Sequence, residues 1–192
     1  MKIAIFTFVF LFAAGAVAAG ITLYCEDDWC FVFPWQVRTN SKTITDFDGC
    51  IQRGYAILES YPERCRTTDG KIFTRDIGNE LEKTDLIRSS FPRPGEVIAS
   101  PLRVTGEARG YWFFEASFSA ELYDGDGKKI GTGIMQTEDE WMTEDFVPYS
   151  GTVTFPEPLT DKGTLILNKD NPSGLPQHDD ELRIPVRFSP HP

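Results

Sequence analysis

Beyond residue 86 the sequence alternates between apolar and polar side chains, and this rhythm is the strongest constraint on the fold. In a β-strand, successive side chains point to opposite faces, so alternation places one face on a core and the other in water. The predicted inward residues of the four clearest runs are Leu102 and Val104; Phe114, Ala116, Phe118, Ala120 and Leu122; Val147, Tyr149, Gly151, Val153 and Phe155; and Leu182, Ile184, Val186 and Phe188.

Three further segments, 87–90, 130–136 and 163–167, complete a set of seven short strands separated by turn residues. Seven such strands within about a hundred residues are typical of an immunoglobulin-like β-sandwich. No cysteine falls in this part of the sequence, so the domain would depend on apolar burial without an inter-sheet disulfide. The predicted fold class is therefore all-β, with the sandwich at residues 86–189.

The N-terminus carries the signature of export. Lys2 is followed by an apolar run at residues 3–12 and by small residues at 13–19. This order is that of a cleaved secretory signal, which would end near residue 20. The uncharged stretch 3–24 is also long enough to span a bilayer as a retained single-pass anchor, ending at residue 24. Both alternatives predict an extracytoplasmic protein, either secreted or held at the membrane.

All the cysteines fall in the N-terminal third, at Cys25, Cys30, Cys50 and Cys65. In an oxidising compartment an even number of cysteines predicts disulfides, and four allow three connectivities. We expect neighbour pairing, Cys25 with Cys30 and Cys50 with Cys65. A zinc site is the alternative, but C-x-x-C is absent and both histidines lie far down the sequence. Residues 25–74 are thus predicted as a small disulfide-containing segment, and the polar residues 75–85 as a linker.

The chain is acidic, with a formal net charge of -10 and a pI of about 4.7. Nucleic-acid binding requires Lys and Arg against phosphate, and anionic lipid attracts the same residues. The charge balance therefore predicts no nucleic-acid partner and no adhesion to anionic lipid, while it leaves the actual partner open.

The stretch 124–127, Asp-Gly-Asp-Gly, suggests a calcium loop at first sight. An EF-hand loop would need oxygen ligands where Lys128 and Met135 stand, and neither residue supplies one. Glycine at these positions suits a tight hairpin turn instead. We therefore expect a turn here and predict no metal site.

The most suggestive candidate surface is the aromatic run Tyr111, Trp112, Phe113 and Phe114. Strand alternation would bury Trp112 and Phe114 and turn Tyr111 and Phe113 outward, where they would suit a protein or sugar contact. The alternative is that all four aromatic rings seal the end of the core.

A second candidate surface surrounds Trp141, with Glu144 and Asp145 among its acidic neighbours. Two carboxylates can serve a glycosidase, but only within a cleft, and acids on loops are usually solvated. His178 has no nucleophile placed against it in the sequence, so a catalytic triad is not predicted. We expect no catalytic residue and no cofactor. The candidate binding residues are Tyr111, Phe113, Trp141, Glu144 and Asp145.

Five segments between residues 90 and 176 form a recognisable series of sequence motifs. They are SFPRPG at 90–95, SPLRVTGEARG at 100–110, WFFEASF at 112–118, WMTEDFVP at 141–148 and KDNPSGLP at 169–176. The ordered series, from about Leu86 to Phe188, resembles the Gmad2 domain, an immunoglobulin-like domain associated with bacterial spore germination proteins. The resemblance implies an exported, envelope-associated module without catalytic residues, and it carries over the fold and the compartment rather than a role in germination.

These observations predict a non-catalytic, exported protein of the bacterial cell envelope whose sandwich acts as a protein-interaction or spacing module. Its partner would be an envelope protein or a cell-wall component, and single-pass anchorage in the membrane remains open. The alternative function is a module that binds carbohydrate or peptidoglycan. An enzyme such as a glycosidase is the third hypothesis, and we do not favour it.

Overall fold

The computed structural model describes residues 43–189, together with the backbone of strands β1 (Tyr24–Glu26) and β2 (Trp29–Phe31). The chain divides into two compact units, Met1–Thr43 and Ile44–Pro192. In the first unit, β1 and β2 pair antiparallel with Cys25 opposite Cys30. A disulfide between these two cysteines stays a prediction.

The predicted signal or anchor at residues 1–20, extended to 24 for an anchor, lies outside the described residues except for Tyr24 in β1. Among the residues that the structure describes, no helix combines the length and the apolar character needed to cross a membrane.

The second unit begins with residues 44–74, which we call the cysteine segment. It contains helix α1 (Phe47–Gln52) and a three-stranded antiparallel sheet, β3 (Ala56–Leu58), β4 (Arg64–Arg66) and β5 (Ile72–Thr74). Asp46 caps α1, since its Oδ1 accepts a hydrogen bond of 2.7 Å from the Gly49 amide. The predicted Cys50–Cys65 disulfide is confirmed. It joins α1 to β4 and is buried together with Phe47.

The sandwich follows, and its eight strands are hydrogen-bonded in one continuous order, β6-β8-β11-β10-β9-β12-β13-β7. Their bounds are β6 (Ile87–Phe91), β7 (Val97–Ile98), β8 (Leu102–Arg109), β9 (Ser117–Asp124), β10 (Lys129–Gln136), β11 (Phe146–Val153), β12 (Lys162–Asn168) and β13 (Glu181–Phe188). The order of β6, β8, β11 and β10, and of β9, β12 and β13, matches A-B-E-D and C-F-G of an immunoglobulin domain. The seven predicted strands are therefore confirmed, and β7 is an additional short one.

The core follows the predicted alternation along most of its length. On β13, for example, Leu182, Ile184, Val186 and Phe188 are buried, whereas the intervening arginines point away from the core. Phe118 is 1% exposed, and its ring meets the rings of Phe113 and Tyr149 edge-on at 5.2 and 5.0 Å between centroids. Each large side chain buried in this way contributes about 1.5–3 kcal/mol.

Residues 75–85, for which the sequence predicts a linker, contain helix α2 (Glu80–Lys83) and contact the sandwich directly. The side-chain Nδ2 of Asn79 donates to the carbonyl oxygen of Glu181 at 2.9 Å, and its Oδ1 accepts from the backbone amide of Arg183 at 2.7 Å. Gly78 allows this approach, because a Cβ there would lie 2.0 Å from the carbonyl oxygen of Arg183. The segment is thus fastened along β13, and the domain boundaries themselves stay predictions.

Candidate functional site

Three connections of the sandwich gather at one end of its strands, because β8, β10 and β12 finish where β9, β11 and β13 begin. We call residues 110–116, 137–145 and 169–180 the loop end. Three backbone hydrogen bonds join these loops: Gly110 N to Asp145 O at 3.1 Å, Thr137 N to Ala116 O at 3.1 Å, and Asp170 N to Trp112 O at 3.0 Å. The first loop therefore ties the other two together.

At Gly110 the backbones of the first and second loops come very close together. A Cβ at Gly110 would lie 2.1 Å from the carbonyl oxygens of both Trp141 and Thr143, so only glycine lets the second loop approach. The Arg109 guanidinium donates to the carbonyl oxygen of Glu144 at 3.0 Å and fastens the same loop from below. The second loop, which carries Trp141, Glu144 and Asp145, is consequently held in place through its backbone atoms.

The aromatic run departs from the predicted alternation. Trp112 and Phe113 are 0% and 4% exposed, whereas Tyr111 and Phe114 are 49% and 40% exposed. The expectation that Phe113 points outward and Phe114 inward is therefore wrong, and so is the alternative that all four rings are sealed in. The reason is the 3-10 helix Gly110–Trp112, whose three residues per turn replace the two-residue period of a strand.

Large exposed apolar side chains are frequent at the loop end. They are Tyr111, Phe114, Met142 and Leu175, and Met142 is 75% exposed. Trp141, predicted as a binding residue, packs partly against the core instead of standing free. Phe114, Met142 and Leu175 were missed as candidates, although apolar residues inside otherwise polar loops are a signal that the sequence contains.

The loop end is also strongly acidic. Its three loops contain nine carboxylate side chains and one lysine. The acids are Glu115, Glu138, Asp139, Glu140, Glu144, Asp145, Asp170, Asp179 and Asp180. The predicted candidates Glu144 and Asp145 thus belong to a broad negative surface. Their carbonyl oxygens accept hydrogen bonds from Arg109 at the end of β8 and from the Gly110 amide of the first loop, respectively.

Two sequence motifs that could carry chemistry, residues 124–127 and the surroundings of His178, have structural roles instead. In the 124–127 stretch, Asp124 Oδ1 accepts from the amides of Asp126 and Lys128 at 3.1 and 2.9 Å, and Gly127 has a positive φ of 77°. This is the predicted hairpin turn between β9 and β10. Among the residues described, no group of three or more His, Cys, Asp or Glu side chains could hold a metal ion.

A serine does lie against His178, contrary to what the sequence suggested. Ser173 Oγ is 3.1 Å from His178 Nδ1, but the same hydroxyl also donates to Asn171 Oδ1 at 2.5 Å and accepts from the Leu175 amide at 3.3 Å. Asp179 contacts Asn171 at 2.7 Å rather than the imidazole. These contacts stiffen the third loop on an exposed surface, and they lack the orienting acid of a catalytic triad.

The strand order and the clustered loops define the class of this protein as one that carries an immunoglobulin-like module. A sequence model of the family described as the immunoglobulin-like domain of bacterial spore germination, Gmad2, matches residues 86–174. The prediction that this part of the chain resembles Gmad2 is confirmed as a family-model match over residues 86–174. The match points to a non-catalytic domain. The comparisons with curated proteins and with solved structures gave no significant match.

The resemblance and the loop end coincide in space. The segments WFFEASF, WMTEDFVP and KDNPSGLP, at 112–118, 141–148 and 169–176, each enter one of the three loops. Segments that are far apart in the chain thus meet at one surface, through the backbone hydrogen bonds described above. This surface is the strongest candidate for a functional site on the sandwich.

Proposed function

We propose that this protein is a non-catalytic, extracytoplasmic interaction module whose loop end binds a protein of the cell envelope. The observation that carries the proposal is the combination of exposed apolar side chains with a dense acidic surround on a rigid set of loops. Binding residues are commonly found on loops that a rigid scaffold positions, as the sandwich does here.

The apolar part of the surface suits a protein contact. Tyr111, Phe114, Met142 and Leu175 expose between 40% and 75% of their surface. Aromatic residues and Met, such as Tyr111, Phe114 and Met142, are favoured at the centre of interfaces, because they remove large areas from water on binding. Their backbone positions are fixed before binding, so little conformational entropy would be lost.

The charge of the surface selects the partner. The loops contain nine carboxylates and one lysine, and only Asp180 among these acids is paired with a cation outside them, Lys83, in the described part of the chain. The remaining excess of negative charge attracts a partner surface rich in Lys and Arg. The proposed occupant is therefore a basic envelope protein with an apolar patch at the centre of its contact surface. Attraction of this kind weakens with added salt, since mobile ions screen exposed charges.

The proposed compartment draws support from the first half of the chain. The signal or anchor pattern of the N-terminus predicts export, and disulfides such as Cys50–Cys65 form and persist in oxidising compartments. Carbohydrate binding is less well supported by the geometry, because Phe113 is buried and Trp141 packs partly on the core.

The test is site-specific photocrosslinking in the intact cell envelope. A photoreactive phenylalanine analogue would replace Tyr111 or Met142, and in the control it would replace Leu159, which is 90% exposed in the loop between β11 and β12 at the other end of the strands. We expect the same partner to be captured from both loop-end positions and not from the control. Equal capture from Leu159, or none from the loop end, would count against the proposal.

The captured partner would then be purified for binding measurements with the full chain. We expect Tyr111→Ala to weaken its binding roughly tenfold or more, as for a residue at an interface centre. Added salt should weaken binding further. Retention of the protein on purified cell wall, lost in Tyr111→Ala, would instead favour the carbohydrate alternative.

A further inference from the structure

A concave surface lies away from the loop end, between the cysteine segment and the outer face of β9, β12 and β13. It is a cleft of about 470 Å³, open to solvent. Its volume falls within the range of about 300–1,000 Å³ that is usual for small-ligand sites, and such sites often form where two parts of a chain meet. Ile166 and Pro185, which are half-buried, give it apolar contact surface.

The charges that line the cleft are balanced, in contrast to those of the loop end. Four cations face four carboxylates: Arg75, Lys162, Arg183 and Arg187, with Asp46, Asp48, Asp76 and Asp124. On a chain with a formal net charge of -10, the lining of this cleft is locally neutral rather than acidic. The cleft therefore repels an anionic group less than the acidic loop end does.

Three of the four cations are already engaged. Lys162 Nζ lies 2.7 Å from Asp48 Oδ2, Arg75 Nε lies 2.5 Å from Glu63 Oε2, and Arg183 is paired with Glu181. The guanidinium of Arg187 has no hydrogen bond or ion pair within the described part of the chain, although its charge acts on Asp48 and Lys162. Among the described contacts, none has to be broken for a ligand to engage this guanidinium.

We propose that this cleft binds a short peptide by its free terminal carboxylate, with the guanidinium of Arg187 as the anchor. Arginine presents a planar fork of donors that matches a carboxylate with two parallel hydrogen bonds. Asp76 and Asp124 each use Oδ1 for backbone amides and provide further carboxylate surface for a peptide amine or amide. The apolar residues of the cleft suit small side chains.

The experiment is a titration of the full chain, labelled with ¹⁵N, with trialanine followed by NMR. We expect the backbone amides of Thr164, Ile166 and Arg187 to shift, while those of Tyr111 and Met142 at the loop end do not. Trialanine with an amidated C-terminus should bind about tenfold more weakly or worse, since the charged hydrogen bonds are lost. All-L and all-D trialanine would distinguish a protein terminus from a peptide built of D-residues.

The matched variants are Arg187→Gln, expected to lose the same factor, and Arg103→Gln, an exposed arginine on β8 that should leave binding unchanged. If Arg187→Gln fails to fold, the amidated peptide still decides, because it leaves the protein intact. Equal affinity for the acid and the amide, or no shifts at millimolar peptide, would overturn the proposal. The loop-end hypothesis stands or fails separately, because its residues are monitored in the same spectra.

Discussion

The sandwich and the cysteine segment are stabilised in different ways, although they lie in the same compact unit. The sandwich buries a cluster of 21 side chains and contains no cysteine. The buried cluster of the cysteine segment consists of Phe47, Cys50 and Cys65, and two of these three form the disulfide. A large core can depend on apolar burial, whereas a segment too small for such a core requires a covalent link.

The largest expected effect comes from placing a charge in the sandwich core. Phe118→Asp removes two aromatic contacts and buries a carboxylate, so we expect a loss of about 3–5 kcal/mol for the cavity and several more for the charge. Native domains are stable by only about 5–15 kcal/mol, so the sandwich should unfold. Circular dichroism with thermal unfolding measures this.

The neighbouring Ser119→Asp is the control for that experiment, because Ser119 is exposed on the opposite face of β9. It should melt cooperatively near the wild-type temperature. A cooperative transition of the Phe118→Asp variant close to that of wild type would show that the core is assigned to the wrong face.

Replacing both Cys50 and Cys65 by alanine tests the other side of the comparison. The disulfide spans 15 residues, and closing a loop of this length stabilises by about 3 kcal/mol in the chain-entropy model. We expect residues 46–74 to lose protection from hydrogen exchange, while strands β8–β13 keep theirs. An equal loss of protection in both regions would mean that the disulfide stabilises the whole unit.

The smallest expected effect concerns the ion pair of Asp48 with Lys162, which joins the cysteine segment to the sandwich. Burial raises the pKa of Asp48, but the hydrogen bond and charge of Lys162, with the charges of Arg187 and Arg75, outweigh burial and bring it below 3.8. A carboxyl group whose pKa is lower in the folded state adds stability above its unfolded pKa, and this stability is lost as the pH falls through the folded value.

We therefore expect the contribution of Asp48 to be complete at neutral pH and to decline as the pH falls below 3.8. Lys162 is 57% exposed, so solvent screening keeps the contribution small. Asp48→Asn should reduce the difference between thermal unfolding at pH 7 and at pH 3. An unchanged difference in this variant would show that the ion pair does not contribute to the joint.

The sequence predicted the sandwich well because long strands repeat a simple pattern. The eight residues of β13 alternate without a break, and every predicted inward residue is buried. Strand β7 was missed, since two residues are too few to show a period. The three-residue strand β3 was missed for the same reason.

The candidate sites were harder to predict than the core. Phe113 and Phe114 exchanged their expected places because a single 3-10 turn interrupts the strand period there, and the predicted alternation resumes with the buried Phe118 on β9. The cleft could not be predicted, because Asp48 and Arg187 are separated by most of the chain and meet only after folding. Local patterns specify which face of a strand is buried, whereas sites of this kind depend on long-range contacts.

The contact of Asn79 with β13 has a consequence for how copies of this protein behave together. Through its side-chain amide, Asn79 occupies a backbone donor and a backbone acceptor on the margin of the sheet, where a foreign strand would otherwise attach. Together with the bond from the Gly95 amide to the carbonyl oxygen of Pro185 at 2.8 Å, it acts as a cover against strand addition. We expect copies of this protein at high local density to be protected in this way from pairing edge to edge along this margin.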